Sequence, residues 1–224
     1  MHIPTGPLSI PITLLLILGI GSITTAQPTH KPATEPTPAQ SSLTEAQLLT
    51  ISPKANTCDN APAEGECATA ATAANYTAQS FDQYKVTSKA EQAALVSLMA
   101  FESGDFKYNK NHFPGVAGQG TRNMQSPTFN KKYASSIPAL ADQFPSVSDS
   151  PADLLDLLRG NETYDFGSGA WFLTTQCTSD VRSALQKGDE AGWKRYITLE
   201  GYWMLFGSLS WAWPMARSTD RGQV

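Results

Sequence analysis

The chain has 224 residues, of which 41% are hydrophobic and 16% are charged. This is enough apolar material for one domain of ordinary size. The formal net charge is -4, and no run of Lys or Arg occurs. Because phosphate binding needs clustered cations, the composition argues against a nucleic-acid partner.

An apolar run covers residues 12–21, close to the start of the chain. It is too short to span a bilayer, which takes about 20 residues. The small residues Thr24, Thr25 and Ala26 follow it and resemble a cleavage site. We therefore predict a signal peptide over residues 1–26 and a secreted protein without stable membrane insertion. A buried core helix is the alternative, but a disordered stalk would then have to join it to the domain.

Residues 27–50 are rich in Pro, Thr, Ala and Gln, with few large apolar side chains. Such a composition buries too little to offset the entropy cost of ordering, so we predict a disordered stalk. Two sequons, at Asn75 and Asn161, fit a secreted glycoprotein. Both asparagines are therefore candidate glycosylation sites.

Two of the three cysteines, Cys58 and Cys67, flank a short polar stretch. In an oxidising compartment they predict a disulfide, whose short loop contributes about 2–3 kcal/mol. The third cysteine, Cys177, remains outside this pair.

The domain over residues 51–198 has the periodicity of a mainly α fold. Ser88 and Glu91 form a capping-box pattern, and the apolar spacing after them predicts a helix that ends at Glu102, before Gly104. Similar signals predict further helices over residues 151–159, 179–187 and 189–197, and the Ala/Thr-rich residues 68–80 favour another. The Gly/Asn/Pro-rich stretch between Gly104 and Ser135 predicts a long irregular loop.

Glu102 lies on the apolar face that Leu95, Leu98 and Met99 define, at the end of its helix and beside the long loop. Burial disfavours the charged form of a carboxyl, so we expect a raised pKa there, as a general acid requires. Asp105 follows as a candidate second carboxylate. The alternative is that Glu102 faces solvent or caps a neighbouring group.

The segments Phe101-Glu102-Ser103-Gly104 and Gly120-Thr-Arg-Asn-Met124-Gln125 resemble the lysozyme-like domain of soluble lytic transglycosylases and goose-type lysozymes. The resemblance implies that Glu102 is the acid/base and that Ser103, Met124 and Gln125 line the sugar site. It also places Trp171 in an aromatic cleft segment. The chain further resembles small secreted fungal proteins with such a domain.

By this resemblance the chain is a secreted glycosidase or lytic transglycosylase that acts on peptidoglycan or a chitin-like polymer. The expected partner is therefore a cell-wall polysaccharide, and we expect a monomer without a cofactor. The family's Gly-Leu pair is replaced here by Arg122 and Asn123. That difference keeps an alternative open: a secreted glycan-binding or effector protein that uses the same scaffold without turnover.

The sequence gives little support for a catalytic histidine or a metal site. His112 is the one histidine in the predicted domain, and no catalytic partner for it can be recognised nearby. The scattered acids and this single histidine lack metal-ligand spacing, so we expect no metal site.

Residues 199–224 are dense in aromatic residues and lack helix stop signals. The resemblance implies a further helix here with a cysteine that pairs with Cys177. We interpret the stretch instead as an atypical tail that arose from a retained intron or a frameshift. A membrane-surface or partner-binding tail is the alternative, although it lacks the basic face typical of such helices.

Overall fold

The computed structural model describes residues 43–199, and helices dominate this part of the chain. The α-helices, in chain order, are α1 (Glu45–Ile51), α2 (Ala70–Tyr84), α3 (Lys89–Glu102), α4 (Pro127–Ser135), α5 (Phe144–Val147), α6 (Pro151–Arg159), α7 (Glu162–Thr175), α8 (Ser179–Leu185) and α9 (Glu190–Leu199). Short 3-10 helices cover Pro53–Asn56 and Pro138–Leu140. Extended pairing in the described range is limited to two isolated bridges that meet at Gly120. The predicted mainly α class is confirmed.

Helices α3 and α7 form the centre of the molecule. Every residue from Ala93 to Ala100 in α3 is buried, as is every residue from Asp165 to Leu173 in α7. Helices that are apolar on all sides are stable only when other elements surround them. Around α3 pack side chains from α1, α2, α8 and α9, while Trp171 and Phe172 on α7 pack against α4 and α6.

Close packing explains a glycine inside α7. A Cβ atom on Gly167 would lie 2.5 Å from Oη of Tyr133 on α4. Tyr133 is itself buried and donates a hydrogen bond to the Tyr164 carbonyl at 3.1 Å, so its ring cannot easily retreat. Gly167 therefore allows α4 and α7 to approach.

The predicted helix starts are largely confirmed. Ser150 caps α6 with Pro151 in its first turn, and Thr69 caps α2. The capping box of α3 is only half present: the Ser88 hydroxyl accepts from the Glu91 amide, but the Glu91 carboxylate does not reach back. That carboxylate is buried and instead accepts two hydrogen bonds from Arg182, at 2.8 and 3.1 Å.

The stalk prediction is wrong for residues 43–50, because α1 begins at Glu45. Thr44 and Gln47 form a complete capping box at its start. Leu48 and Ile51 from α1 are buried in the core that α2 and α3 form. The folded domain therefore starts before residue 51. Residues 27–42 of the stalk, the predicted signal peptide and residues 200–224 lie outside the described residues.

Residues 103–126, between α3 and α4, form an irregular loop, which we call the 103–126 segment. The predicted loop, from Gly104 to Ser135, was too long, because Pro127 in the first turn starts helix α4 over its last part. Arg122 holds its two ends together from the inside: Nε donates to Asp165 Oδ2 at 2.8 Å, and Nη1 donates to the carbonyls of Phe106 and Tyr108 at 3.1 and 3.2 Å. The guanidinium carbon also lies 4.9 Å from the centre of the Phe166 ring. The buried ion pair between Arg122 and Asp165 thus stabilises a segment that has no helix of its own.

The predicted disulfide between Cys58 and Cys67 is present. Cys177 is half-buried at the end of α7. Both sequon asparagines are exposed, Asn75 on α2 and Asn161 as the N-cap of α7, and their glycosylation stays a prediction. Among residues 43–199, no helix combines the length and apolarity that crossing a membrane demands.

Candidate active site

Glu102 is the last residue of α3 and lines a pocket. Within residues 43–199, no group donates a hydrogen bond to this carboxyl or forms an ion pair with it. Burial raises its pKa from an ordinary 4.5 to about 8. The C-terminal end of a helix carries partial negative charge, which acts in the same direction. The carboxyl is therefore protonated at neutral pH and has a proton to give.

The pocket has a volume of about 310 Å³. Apart from Glu102, its walls come entirely from the 103–126 segment: they are Tyr108, Lys110, Asn111, His112, Phe113, Gln119 and Met124. The volume is near the lower end of the range for ligand pockets, roughly 300–1,000 Å³. The pocket thus combines one protonated carboxyl with several neutral donors, a cation and an exposed aromatic ring.

Two amide side chains in the wall have their orientation fixed by the backbone. The Asn111 side-chain oxygen accepts from the amides of Gly115 and Val116, at 2.8 and 3.2 Å. Gln119 donates from Nε2 to the Met124 carbonyl at 3.0 Å. Asn111 consequently keeps its NH₂ group, and Gln119 its carbonyl oxygen, for a ligand. Phe113, at the rim, is 89% exposed.

His112 has a carboxylate partner that the sequence did not reveal. Its Nε2 lies 2.9 and 3.0 Å from the two carboxylate oxygens of Glu66. Glu66 is buried beside the disulfide and also accepts from the Asn109 amide at 3.2 Å. The interpretation of His112 as a residue without a recognisable partner was therefore wrong: the two residues are 46 positions apart, and only the fold brings them together.

Asp105 does not line this pocket. Its carboxylate accepts a hydrogen bond of 2.7 Å from the hydroxyl of Ser52, which follows α1. The backbone at Asp105 has φ +59 after Gly104 at φ +57, and this left-handed turn carries the chain away from the α3 axis. The structure thus gives Asp105 a partner that is not part of the pocket wall.

Of the residues that the resemblance assigned to the sugar site, the structure brings Met124 to the pocket. The other three are buried elsewhere. Ser103 donates to the Met99 carbonyl at 2.6 Å and accepts from the Phe106 amide at 2.9 Å, so it caps α3. Gln125 donates to Asn130 at 2.7 Å, and Trp171 packs on Tyr133 with ring centres 5.1 Å apart. None of these three is accessible to a large ligand.

The wall residues that sequence reasoning missed all lie at residues 108–119. The signal that was available is the length of the irregular segment itself, since long structured loops in compact domains usually serve function. Their side-chain types gave no recognisable motif. Among residues 43–199, no three His, Cys, Asp or Glu side chains come together as a metal site would require.

Comparison with known proteins identifies a homologous segment in one fungal protein. A bifunctional dioxygenase–epoxy alcohol synthase from Fusarium oxysporum (strain Fo5176) is 47% identical over 131 residues. The match covers 56% of this chain but 10% of the Fusarium protein. The chain therefore spans about a tenth of the length of this relative, and the match does not say which part of that protein carries its two activities.

No family model matches the chain, and no solved structure matches it.

Proposed function

We propose that the chain is a secreted glycan-cleaving enzyme with a lysozyme-like helical domain. Its substrate class would be β-1,4-linked N-acetylhexosamine polymers, either peptidoglycan or a chitin-like glycan. Glu102 would act as the general acid/base. The observation that carries the proposal is the protonated Glu102 carboxyl, with a pKa of about 8 and no hydrogen-bond partner among the described residues, at a pocket of about 310 Å³.

The chemistry follows from the state of this carboxyl. Cleavage of a glycosidic bond needs a proton on the leaving oxygen, and a carboxylic acid that stays neutral at the working pH supplies it. The NH₂ group of Asn111, the carbonyl of Gln119 and the exposed ring of Phe113 supply contacts that hydroxyl and acetamido groups and a sugar face can use. A disulfide is the type of cross-link that persists in an oxidising compartment, which supports secretion.

The test is turnover of peptidoglycan and of chitin oligosaccharides, side by side, by the wild-type protein and by Glu102→Gln. We expect release of soluble sugars by the wild type and a loss of at least about a hundredfold in the variant, because the amide N–H is not acidic enough to protonate the leaving oxygen. Glu64→Gln, at an exposed position outside the pocket, serves as a matched acid-to-amide control. Equal activity of Glu102→Gln and wild type would rule out the proposed role of Glu102.

A second candidate is a glycan-binding protein on the same scaffold. It is favoured by two observations. Gln125 and Trp171, which the resemblance placed along a cleft, are buried. The remaining pocket, of about 310 Å³, is also smaller than a cleft for several sugar rings. Calorimetric titration with chitin and peptidoglycan fragments distinguishes the two functions. Binding that survives in Glu102→Gln, together with the absence of wild-type turnover, would establish the binding protein.

A further inference from the structure

We infer that His112, oriented by the buried carboxylate of Glu66, is the base that activates water for attack on the sugar bound at Glu102. This inference rests on the glycan-cleaving function proposed above. It assigns the second proton-transfer group of the site, which the sequence had sought in Asp105.

The geometry of the pair is that of a positioned base. The His112 side chain is 46% exposed and forms part of the pocket wall, whereas the Glu66 side chain is 7% exposed. The Glu66 carboxylate is held in turn by the Asn109 amide at 3.2 Å. The Tyr108 ring lies 5.2 Å from the His112 ring and limits its rotation. One ring nitrogen therefore faces a fixed carboxylate, while the rest of the ring remains open to the pocket.

The chain builds this pair with its disulfide. Glu66 directly precedes Cys67, so the bond to Cys58 fixes the backbone from which the carboxylate extends. Lys107 attaches the same loop to the 103–126 segment, because its ammonium donates to the Thr57 carbonyl and lies 3.8 Å from Cys67 Sγ. The loop that carries Glu66 and the segment that carries His112 are thus fixed to each other.

The proton positions follow from the contact. A carboxylate only accepts hydrogen bonds, so the nitrogen beside Glu66, Nε2, carries the hydrogen. In the neutral ring, Nδ1 then has the lone pair, and histidine is the side chain best suited to exchange a proton near neutral pH. Asp105 is engaged by Ser52 at 2.7 Å. Among the wall residues, His112 is consequently the group that can take a proton from water while Glu102 gives one.

The resulting step balances. The water oxygen bonds to the anomeric carbon as the bond between that carbon and the glycosidic oxygen breaks. The glycosidic oxygen takes the Glu102 proton, and His112 Nδ1 takes a proton from the water. The proton then returns from His112 to Glu102 through solvent. In such a direct displacement the water enters opposite the leaving oxygen, so the first product should have the inverted anomeric configuration.

The test is chemical rescue of His112→Ala with azide. Azide attacks carbon without losing a proton, so it replaces the activated water but cannot replace the acid. We expect kcat of His112→Ala to fall at least about a hundredfold and to recover in azide, with a glycosyl azide of inverted configuration as the product. Glu102→Gln should not recover. A His112→Ala variant with wild-type kcat, or one that azide leaves unchanged, would overturn the inference.

Glu66 acts through His112, so its variant needs a readout that structural damage alone would not produce. We expect Glu66→Gln to lower kcat at least about tenfold while KM stays within about twofold, because the ring is misoriented but the pocket is intact. The matched control is Glu64→Gln, an exposed residue of the same disulfide loop, which should keep wild-type values. A rise in KM with unchanged kcat would contradict a positioning role.

Nitrogen NMR of the His112 ring separates this inference from the proposed function. We expect the Nε2-protonated form in the wild type and a mixture of the two neutral forms in Glu66→Gln. An Nδ1-protonated ring in the wild type would overturn the inference even if the protein cleaves glycans. Absence of wild-type turnover on either glycan would overturn the function and the role of His112 with it, whatever the ring state.

Discussion

The helical core and the 103–126 segment reach order by different means. Helices α3 and α7 are buried along most of their length by apolar side chains, and their packing depends on volume and shape. The segment has no helix, and its order depends on a few directional contacts around Arg122 and Asp165. In the helical core, a substitution should destabilise the protein in proportion to the side-chain volume that it adds or removes. In the 103–126 segment, loss of one central contact should disorder the whole segment. The pocket lies where the two regions meet, at Glu102.

The largest expected effect comes from Arg122→Met, which removes the charge at the centre of the segment. It leaves Asp165 buried, with its Oδ1 already lacking a hydrogen-bond partner, and frees the carbonyls of Phe106 and Tyr108. Breaking a buried ion pair typically costs about 3–5 kcal/mol. Urea unfolding should show this loss. Lys131→Ala, which removes the exposed pair with Asp149, should cost less than about 1 kcal/mol.

A loss below about 1 kcal/mol in Arg122→Met would mean that the segment does not depend on its buried ion pair, and the contrast with the helical core would fail.

The two regions also differ in how far the sequence alone predicts them. Helices α3 and α6 were predictable because Ser88 and Ser150 mark their starts and apolar spacing marks one face. Helix α7 was missed because Gly167 and Gly169 lower its helix propensity and its buried residues show no amphipathic period, whereas α3, which is equally buried, contains no glycine. Helix α1 was missed because the Pro/Thr-rich composition concealed the Thr44 capping box.

The site was predictable only at its helical end. The apolar face of α3 placed Glu102 correctly and gave the direction of its pKa shift. The contacts of Arg122 with Asp165 and of His112 with Glu66 join residues 43 and 46 positions apart. Such contacts exist only in the fold, and local patterns do not encode them. The long-range polar pairs of the segment could therefore not be predicted from the sequence, whereas the local periodicity of the core helices could be recognised in it.

The second largest effect is a pH-dependent stability difference between the wild type and Glu102→Gln. The folded pKa of Glu102 is raised from 4.5 to about 8, so the folded state holds the proton more tightly than the unfolded state. Stability from this group is complete below about pH 4.5 and is lost as the pH rises through 8. The shift sets an upper limit of about 5 kcal/mol, which partial exposure to solvent reduces to about 2–3 kcal/mol.

Free energies of unfolding at pH 4 and pH 9 test this expectation. The two proteins should be equally stable at the lower pH, and the wild type should be the less stable one at the higher pH. Asp165, whose pKa burial raises to about 6 despite Arg122, changes stability with the same sign, but it cancels in the comparison. A difference that does not change with pH would mean that Glu102 is ionised and hydrated at the pocket.

The packing of the core is tested by two glycines of one helix. Gly167→Ala places a Cβ 2.5 Å from Tyr133 Oη, whereas Gly169→Ala places one 3.4 Å from Met99 Sδ. We expect the first to destabilise the protein by about 1–2 kcal/mol through overpacking. The second should be neutral or stabilising by up to about 1 kcal/mol, since Ala favours a helix over Gly.

Tyr133→Phe in the Gly167→Ala background should recover part of the loss, because the phenol oxygen is the atom in the way. Additive effects of the two substitutions would show that α4 and α7 do not meet at this contact.

The smallest effect separates Asp105 from the chemistry. Asn retains an oxygen that can accept from Ser52 and tolerates the left-handed backbone that Asp105 adopts, so Asp105→Asn should change the free energy of unfolding by less than about 1 kcal/mol. Turnover should stay within about threefold of wild type if Glu102 and His112 are the two proton-transfer groups. A second catalytic carboxylate at this position would instead cost at least about a hundredfold when its charge is removed. Stability and turnover measured on one preparation decide between two roles for the Asp105 carboxylate. Either it takes part in the reaction, or, as its contact with Ser52 indicates, it attaches the start of the 103–126 segment to the end of α1.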